Sequence, residues 1–249
     1  FFSLIPICTS CSAIAAGSPE ELVLKQLQKF KNLTSGRIVR NDVKQSMMQP
    51  AWDQRYRHGD TPWDKGHASP ALIYWLKNYP GRISGHILIP GCGTGHDVRA
   101  IADAEQTSSP LGIDISPTAI ATCQQNKVHD NEQYQQADLF QLPRKFHTAF
   151  DWVWEHTCYC AIDPSKRPQY VSAIASALKP NGRLLGIFYL NPQFDATTPD
   201  DGPPHGTSLE EIESLFLADS EFVLLDSEKP NACYPGREGR EHVLQFQRL

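Results

Sequence analysis

The residues best suited to chemistry lie in one string, Pro90-Gly91-Cys92-Gly93-Thr94-Gly95-His96-Asp97, between an apolar run and a helical pattern. Alternate glycines let the chain turn tightly and let a ligand approach the backbone with no side chain in the way. Asp114 follows 19 residues beyond Gly95, at the end of the next apolar run. A carboxylate there can accept both hydroxyl hydrogens of a ribose. Asp138, in Ala137-Asp138-Leu139, is placed to supply a carboxylate to an adenine amine. Together these predict an adenosine-like ligand across the carboxyl ends of the strands. The plain alternative is a strand-to-helix turn with unrelated acids. The GxGxG spacing brings the third glycine one residue early for a dinucleotide. With no Tyr-x-x-x-Lys pair in view, it disfavours a nicotinamide oxidoreductase.

Positioning such residues takes alternating strands and helices. Short apolar runs at 86–91, 110–115, 150–155 and 182–190 read as strands, with a further strand before 137. Helices are expected at 96–105, 117–128 and 164–178. Pro117 behind Ser116 and Pro164 behind Asp163 each give an N-cap followed by proline at the first helical position. This alternation implies a parallel sheet covered on both faces. A helix at 209–217 is followed by two strands, 222–226 and 242–248, with no helix between them, which suggests an antiparallel hairpin at one sheet edge. Upstream, 19–34 has the pattern of an amphipathic helix with a Ser18/Glu21 capping box, while 35–70 is polar and aromatic without a clear period.

Composition narrows the class. The 249 residues carry a formal net charge of −5 with 23 Lys plus Arg, which lacks the basic excess that nucleic-acid binding requires. No apolar run reaches the ~18–20 residues that span a bilayer. Seven cysteines without framework spacing point to free thiols and a reducing, cytoplasmic setting. The lone Cys8/Cys11 pair is a weak metal or redox signal, so no metal site is expected. Asn32-Leu33-Thr34 is a sequon of the kind that arises by chance. The apolar opening, 1–17, ends in small residues but has no basic region before it.

These residues resemble the S-adenosylmethionine-dependent methyltransferases, and within them the thiopurine methyltransferase family, nearest its thiol and halide branch. The resemblance runs from about residue 50 to the C-terminus. It is carried by Trp52-Asp53-Gln54-Arg55-Tyr56, Thr61-Pro62-Trp63-Asp64-Lys65-Gly66, the glycine string, and Gly112-Ile113-Asp114-Ile115-Ser116. Cys160-Ala161-Ile162-Asp163-Pro164 with Arg167, Gly202-Pro203-Pro204 and Arg237-Glu238-Gly239-Arg240-Glu241 continue it. It implies one α/β domain over 1–249, a Rossmann-like, seven-stranded, mostly parallel sheet of the class I methyltransferase type. Residues 1–80 would form an N-terminal extension and lid, and 81–249 the cofactor-binding core. The implied cofactor is S-adenosylmethionine. Its binding residues would be Trp52, Tyr56, Trp63, Gly91, Cys92, Gly93, Gly95, Asp114, Ile115, Asp138, Leu139 and His156. The last stands where relatives place a cofactor-contacting Tyr, and Tyr56 where the family often has Trp.

Methyl transfer from a sulfonium is an in-line displacement that depends on positioning and exclusion of water. A thiol near its ordinary pKa already holds a few per cent thiolate at neutral pH, so a nearby cation or weak base suffices. Trp52, Tyr56, Trp63, Tyr74 and Trp75 could supply a cation–π surface and a dry cover. Catalytic candidates are Glu155 and His156 after the fourth strand, with Tyr159 and Arg237; Tyr189 joins them in lining an acceptor pocket. Glu155 could equally be a structural carboxylate, and His58, His67 and His205 solvated loop residues. The expected acceptor is a small thiol, hydrosulfide or aromatic thiol, with a halide or thiocyanate as the alternative. A nucleic-acid or protein methyltransferase is remoter, because Glu155-His156-Thr157-Cys158 stands where an Asn/Asp-Pro-Pro-aromatic string would be. A monomer acting on neither nucleic acid nor membrane is the accompanying expectation.

Overall fold

Aliphatic runs bounded by glycine and proline build the sheet of the computed structural model, which describes residues 51–190, 202–218 and 221–249. The expected helix at 19–34, the Cys8/Cys11 pair and the sequon lie outside the described residues. Seven strands, β1 (His86–Pro90), β2 (Ser109–Asp114), β3 (Gln133–Gln136), β4 (Phe150–His156), β5 (Leu178–Tyr189), β6 (Phe222–Glu228) and β7 (Glu241–Arg248), form one sheet in the order β3-β2-β1-β4-β5-β7-β6. The ladders from β3 to β5 are parallel, and only β7 is reversed against both its neighbours. The hairpin is thus at the edge, as the missing helix between its strands predicts, with its second strand innermost.

The helices are α1 (51–58), α2 (Pro70–Asn78), α3 (His96–Ala104), α4 (Pro117–Gln125), α5 (Arg167–Ala177) and α6 (Leu209–Leu217). Ser116 caps α4 by accepting from the Ala119 N–H, and Ser208 caps α6 through Glu211. The expected helix at 164–178 is split. Asp163 caps a single 3-10 turn, Pro164–Lys166, before α5, and Leu178 already belongs to β5. Within the stretch read as aperiodic, 51–58 is helical. α2, absent from the sequence reading, starts with the same Ser-Pro signal at Ser69-Pro70 and buries Ala71, Leu72, Trp75 and Leu76.

Strand alternation divides the core. Leu88, Val153, Leu184 and Phe188 face one layer with Tyr170, Ile174 and Phe216. Ile87, Ile89, Trp152, Trp154 and Ile187 face the other, with Leu72, Trp75, Val98 and Ile101 of α2 and α3. The chain leaves β1 toward β2 on one side, while β4 and β5 lie on the other, so the direction of winding reverses at the β1–β4 pair. Ligand crevices of open α/β sheets form at this switch point, beyond the carboxyl ends of the strands. Among the described residues, no helix is long and apolar enough to cross a membrane.

Candidate active site

At the end of β1 the glycine string turns through three left-handed positions: Gly91 at φ 58°, Gly93 at φ 55° and Gly95 at φ 83°. Any L side chain at these angles would be strained. Each glycine also admits a neighbour. A Cβ on Gly95 would lie 2.8 Å from the Tyr134 ring, and one on Gly93 would lie 3.2 Å from the Tyr56 hydroxyl. Asp114, ending β2, accepts the Gly93 N–H at 3.0 Å and the Ser116 N–H at 2.8 Å. Burial pushes its carboxyl up to about 6 against those two bonds, and Asp53 nearby adds to the push.

The Thr61–Gly66 string folds over this loop and is latched by one carboxylate. Asp64 accepts from the Thr94 hydroxyl at 2.7 Å, from the Gly66 N–H at 2.8 Å and from His96 Nε2 at 3.0 Å. Arg99 donates to His96 Nδ1, which leaves Nε2 as the ring's donor to Asp64. Burial alone would raise the Asp64 carboxyl; these donors outweigh it and hold the group below the usual range. Next to the latch, Trp63 donates its indole N–H to the Tyr56 hydroxyl and meets Trp52 edge-on at 5.3 Å. The Arg55 guanidinium lies 4.3 Å over the Trp63 ring. Asp53 fastens α1 to α4 through the Ser116 hydroxyl and the Thr118 N–H.

A second carboxylate, Asp97 in the first turn of α3, collects three donors: the Ser69 N–H at 2.7 Å, the Trp154 indole at 2.7 Å and His156 Nδ1 at 3.1 Å. Burial would raise it, but the His156 ring and the two N–H donors hold it below the ordinary range. His156 stacks against Tyr234 with ring centres 5.8 Å apart, and the Tyr234 hydroxyl donates to the His67 carbonyl. His156 Nε2 is buried and has no hydrogen-bond partner.

The resulting cleft is walled by Trp63, Asp64, Lys65 and His67 of the covering string and by Gly91 to Thr94 of the loop. His96, Asp97, His156, Thr157 and Tyr234 complete it. Of the residues expected from sequence, it brings together Trp63, Gly91, Cys92, Gly93 and His156. Tyr56 and Trp52 stand behind Trp63, and Gly95 is buried under Tyr134 and Cys123. Asp114 ends β2 beside the loop with Ile115 just after it, and Asp138 caps the turn that contains buried Leu139; none of these walls the cleft. Trp75 is in the core, not the cover.

Three of the four catalytic candidates, Glu155, Tyr159 and Arg237, lie outside the cleft lining. Glu155 is fully buried on the opposite sheet face, where it accepts from the Tyr159 N–H at 2.7 Å and from the Tyr170 hydroxyl. Tyr159 is buried among Tyr170 and Phe188. Successive residues of a strand point to opposite faces, so His156 and Glu155 could not share the cleft. Arg237 is paired with Glu241 at 3.0 Å and lies 4.5 Å over Tyr189 and 5.4 Å over Tyr234, so it supports the cleft wall from behind. His67, read as solvated, lines the cleft. The sequence reading passed over Asp97, although it stands in the glycine string, and Tyr234 carries no local signal at all.

Residues 47–242 match the thiopurine S-methyltransferase family. The chain is 28% identical to thiocyanate methyltransferase 1 of Arabidopsis thaliana, over 80% of this chain and 84% of that protein. It is 29% identical to a probable thiol methyltransferase 2 of the same plant, over 76% and 81% respectively. Its fold is similar to that of a solved structure describing conversion of a disulfide bond into a thioacetal group during echinomycin biosynthesis. That likeness has a TM-score of 0.63 at 20% identity and covers 81% of this chain and 92% of the other. With a matching family region that runs from before α1 through the glycine string and the latch to the start of β7, the chain belongs to the thiopurine S-methyltransferase family of S-adenosylmethionine-dependent enzymes.

Proposed function

We propose that this cleft transfers a methyl group to a small sulfur nucleophile, a thiol or hydrosulfide. The observation that carries the reading is the cleft itself: a glycine cradle at the switch point, roofed by aromatic residues and walled by an imidazole. The residues fit the cofactor. A Cβ at Gly93 would press on the Tyr56 hydroxyl at 3.2 Å, and φ 55° strains any L side chain there. Each Asp114 oxygen uses one lone pair on a loop N–H and keeps another for a ribose hydroxyl.

Bound S-adenosylmethionine supplies an electrophilic methyl group on a cationic sulfur. Asp114 would hold the ribose and the Gly91–Gly93 backbone would take the methionine end, with Trp63, Tyr56 and Trp52 closing the aromatic side. Those rings exclude water and offer electron-rich faces to a cation. Asp64 keeps the roof in place by tying it to Thr94 and His96. Asp138 at the end of β3 would serve the adenine. The net charge of −5 supports a small acceptor over nucleic acid.

The plant relative named for thiocyanate favours a second reading, a halide or thiocyanate acceptor. A panel of labelled methyl transfer to iodide, thiocyanate, hydrosulfide, 2-mercaptoethanol and thiophenol separates the two. Faster turnover of the sulfhydryl compounds is expected; faster turnover of iodide would overturn the choice. Failure of S-adenosylhomocysteine to bind at high micromolar concentration would remove both.

A further inference from the structure

We infer that His156, oriented by Asp97, is the base that removes the acceptor's proton, so that the cleft is built for a nucleophile that arrives as S–H rather than as a proton-free anion. The inference rests on the methyl-transfer reading of the cleft and names its acceptor class. Two independent features meet at this ring. On one side, Asp97 already takes N–H groups from Ser69 and Trp154, and as an ionised acceptor it requires a hydrogen on His156 Nδ1. That fixes the tautomer and leaves a lone pair on Nε2 of the neutral ring. On the other side, Nε2 is buried, has no hydrogen-bond partner and belongs to a residue of the cleft wall. Buried polar atoms are ordinarily satisfied. This one stands where a bound acceptor would satisfy it.

The surroundings suit a ring that gains and loses a proton. Asp97 pairs with the ring edge at Nδ1, and Tyr234 stacks on a face of the imidazole. Glu155 adjoins it on β4 but is turned to the far side of the sheet, held by Tyr159 and Tyr170. Cys158 follows in the loop with a thiol pushed well up by burial. Asp64 and His67 approach from the covering string; Arg237, paired with Glu241, stands behind Tyr234.

In the step proposed, the acceptor S–H bond breaks, its electron pair stays on sulfur, and the proton forms a bond to Nε2. The resulting imidazolium is balanced by Asp97. The thiolate sulfur then bonds to the methyl carbon, whose bond to the cationic sulfur breaks with its pair retained there, leaving a neutral thioether. The proton afterwards leaves Nε2 for water. A halide or thiocyanate has no proton to give and gains nothing from this arrangement.

The test compares wild type, His156→Gln and Asp97→Asn, each first checked for folding by thermal melt and for S-adenosylhomocysteine affinity. With S-adenosylhomocysteine in place of the methyl donor, 2-mercaptoethanol bound at pH 7 should show thiolate absorbance in wild type and none in His156→Gln. With the donor present, the ratio of kcat/KM for 2-mercaptoethanol to that for thiocyanate should fall ~100-fold in His156→Gln. Raising the pH toward the thiol's own ionisation should recover it. In Asp97→Asn, the pH limb of wild-type thiol turnover should move to lower pH, as expected for a positioning residue that stabilises the imidazolium. Absence of the thiolate band in wild type, or an equal loss for both acceptors, overturns the proposal. Thiocyanate turnover that falls with rising pH while thiol turnover stays flat would also overturn it, by making His156 an anion clamp. Loss of S-adenosylhomocysteine binding in wild type would instead defeat the underlying methyl-transfer reading.

Discussion

Asp114 gives the sharpest quantitative test, because one proton should move cofactor affinity and fold stability in opposite directions. Its carboxyl is raised by burial from the ordinary 3.8 to about 6. For an acid raised on folding, the native state binds more protons than the unfolded chain between about pH 4 and 6, so stability falls as pH rises through that window. Two units at ~1.4 kcal/mol each put the cost of the buried charge near ~3 kcal/mol at pH 7. Asp114→Ala removes that cost but strands the Gly93 and Ser116 N–H groups, at ~1–3 kcal/mol each when buried. The net runs from about 1 kcal/mol stabilising to about 3 kcal/mol destabilising, so the melting temperature should rise by no more than ~4 °C and fall by no more than ~12 °C. Binding has no such offset. Losing two charge-assisted ribose hydrogen bonds should weaken S-adenosylhomocysteine by ~2–3 kcal/mol, or ~30- to 150-fold. In wild type, affinity should be ~10-fold lower at pH 5 than at pH 7, because the protonated carboxyl accepts poorly. Isothermal titration of wild type and Asp114→Ala from pH 5 to pH 7 measures both. An affinity that is flat with pH and unchanged in the variant would refute the assignment of the ribose to Asp114.

Asp64→Ala should release the covering string, since Thr94 and His96 both lose their acceptor. Cofactor affinity should fall by ~1–2 kcal/mol, and hydrogen exchange should rise across 61–69; unchanged exchange there would show that the latch is not what holds the roof. Glu155→Ala should cost ~2–4 kcal/mol of stability in a denaturant melt, because it leaves the Tyr159 N–H and Tyr170 hydroxyl unpaired in the core. If Glu155→Gln instead kept full stability and lost all turnover, the carboxylate would be chemical rather than structural. Gly95→Ala combines φ 83° with a Cβ 2.8 Å from the Tyr134 ring and should lower stability by at least ~2 kcal/mol. An unshifted melt would mean that the loop relaxes freely.

The sheet was legible because most of its strands are short apolar runs, and helices such as α4 begin at a Ser-Pro signal, features that are local and need no tertiary information. The glycine loop was legible for the same reason: φ 58°, 55° and 83° are conformations that only glycine adopts at little cost. Glu155 shows where local reading stopped. Its position at the end of β4 looked right, but alternation along Trp152, Trp154 and His156 puts it on the other face, and that parity could have been applied to the sequence. Tyr234 could not have been found this way. It meets His67 across 167 residues, through a loop whose composition reads as an exposed turn. Asp97 lay in plain view but looked like the acidic first turn of a helix. Its function appears only when Trp154 and His156 arrive from β4.

Asp97 and Asp114 flank the same glycine loop, both largely withdrawn from solvent, yet their carboxyls are driven in opposite directions. Burial raises both. At Asp114 burial outweighs the opposing backbone N–H groups of Ser116, Gly93 and Ile115, and Asp53 adds a like charge, so the group ends near 6. At Asp97 an indole, a backbone N–H and an imidazole converge, and the group stays below the ordinary range. The first is therefore an acceptor whose strength depends on pH; the second is a fixed anion throughout the range in which a thiol is presented protonated. A fixed anion behind an imidazole balances the charge that the ring would carry after the proposed proton transfer from sulfur. Had the two environments been exchanged, the cofactor's ribose would be held at any pH and the imidazole would lose its counter-charge in mild acid. The division of the two carboxylates thus follows from which donors the fold brings to each.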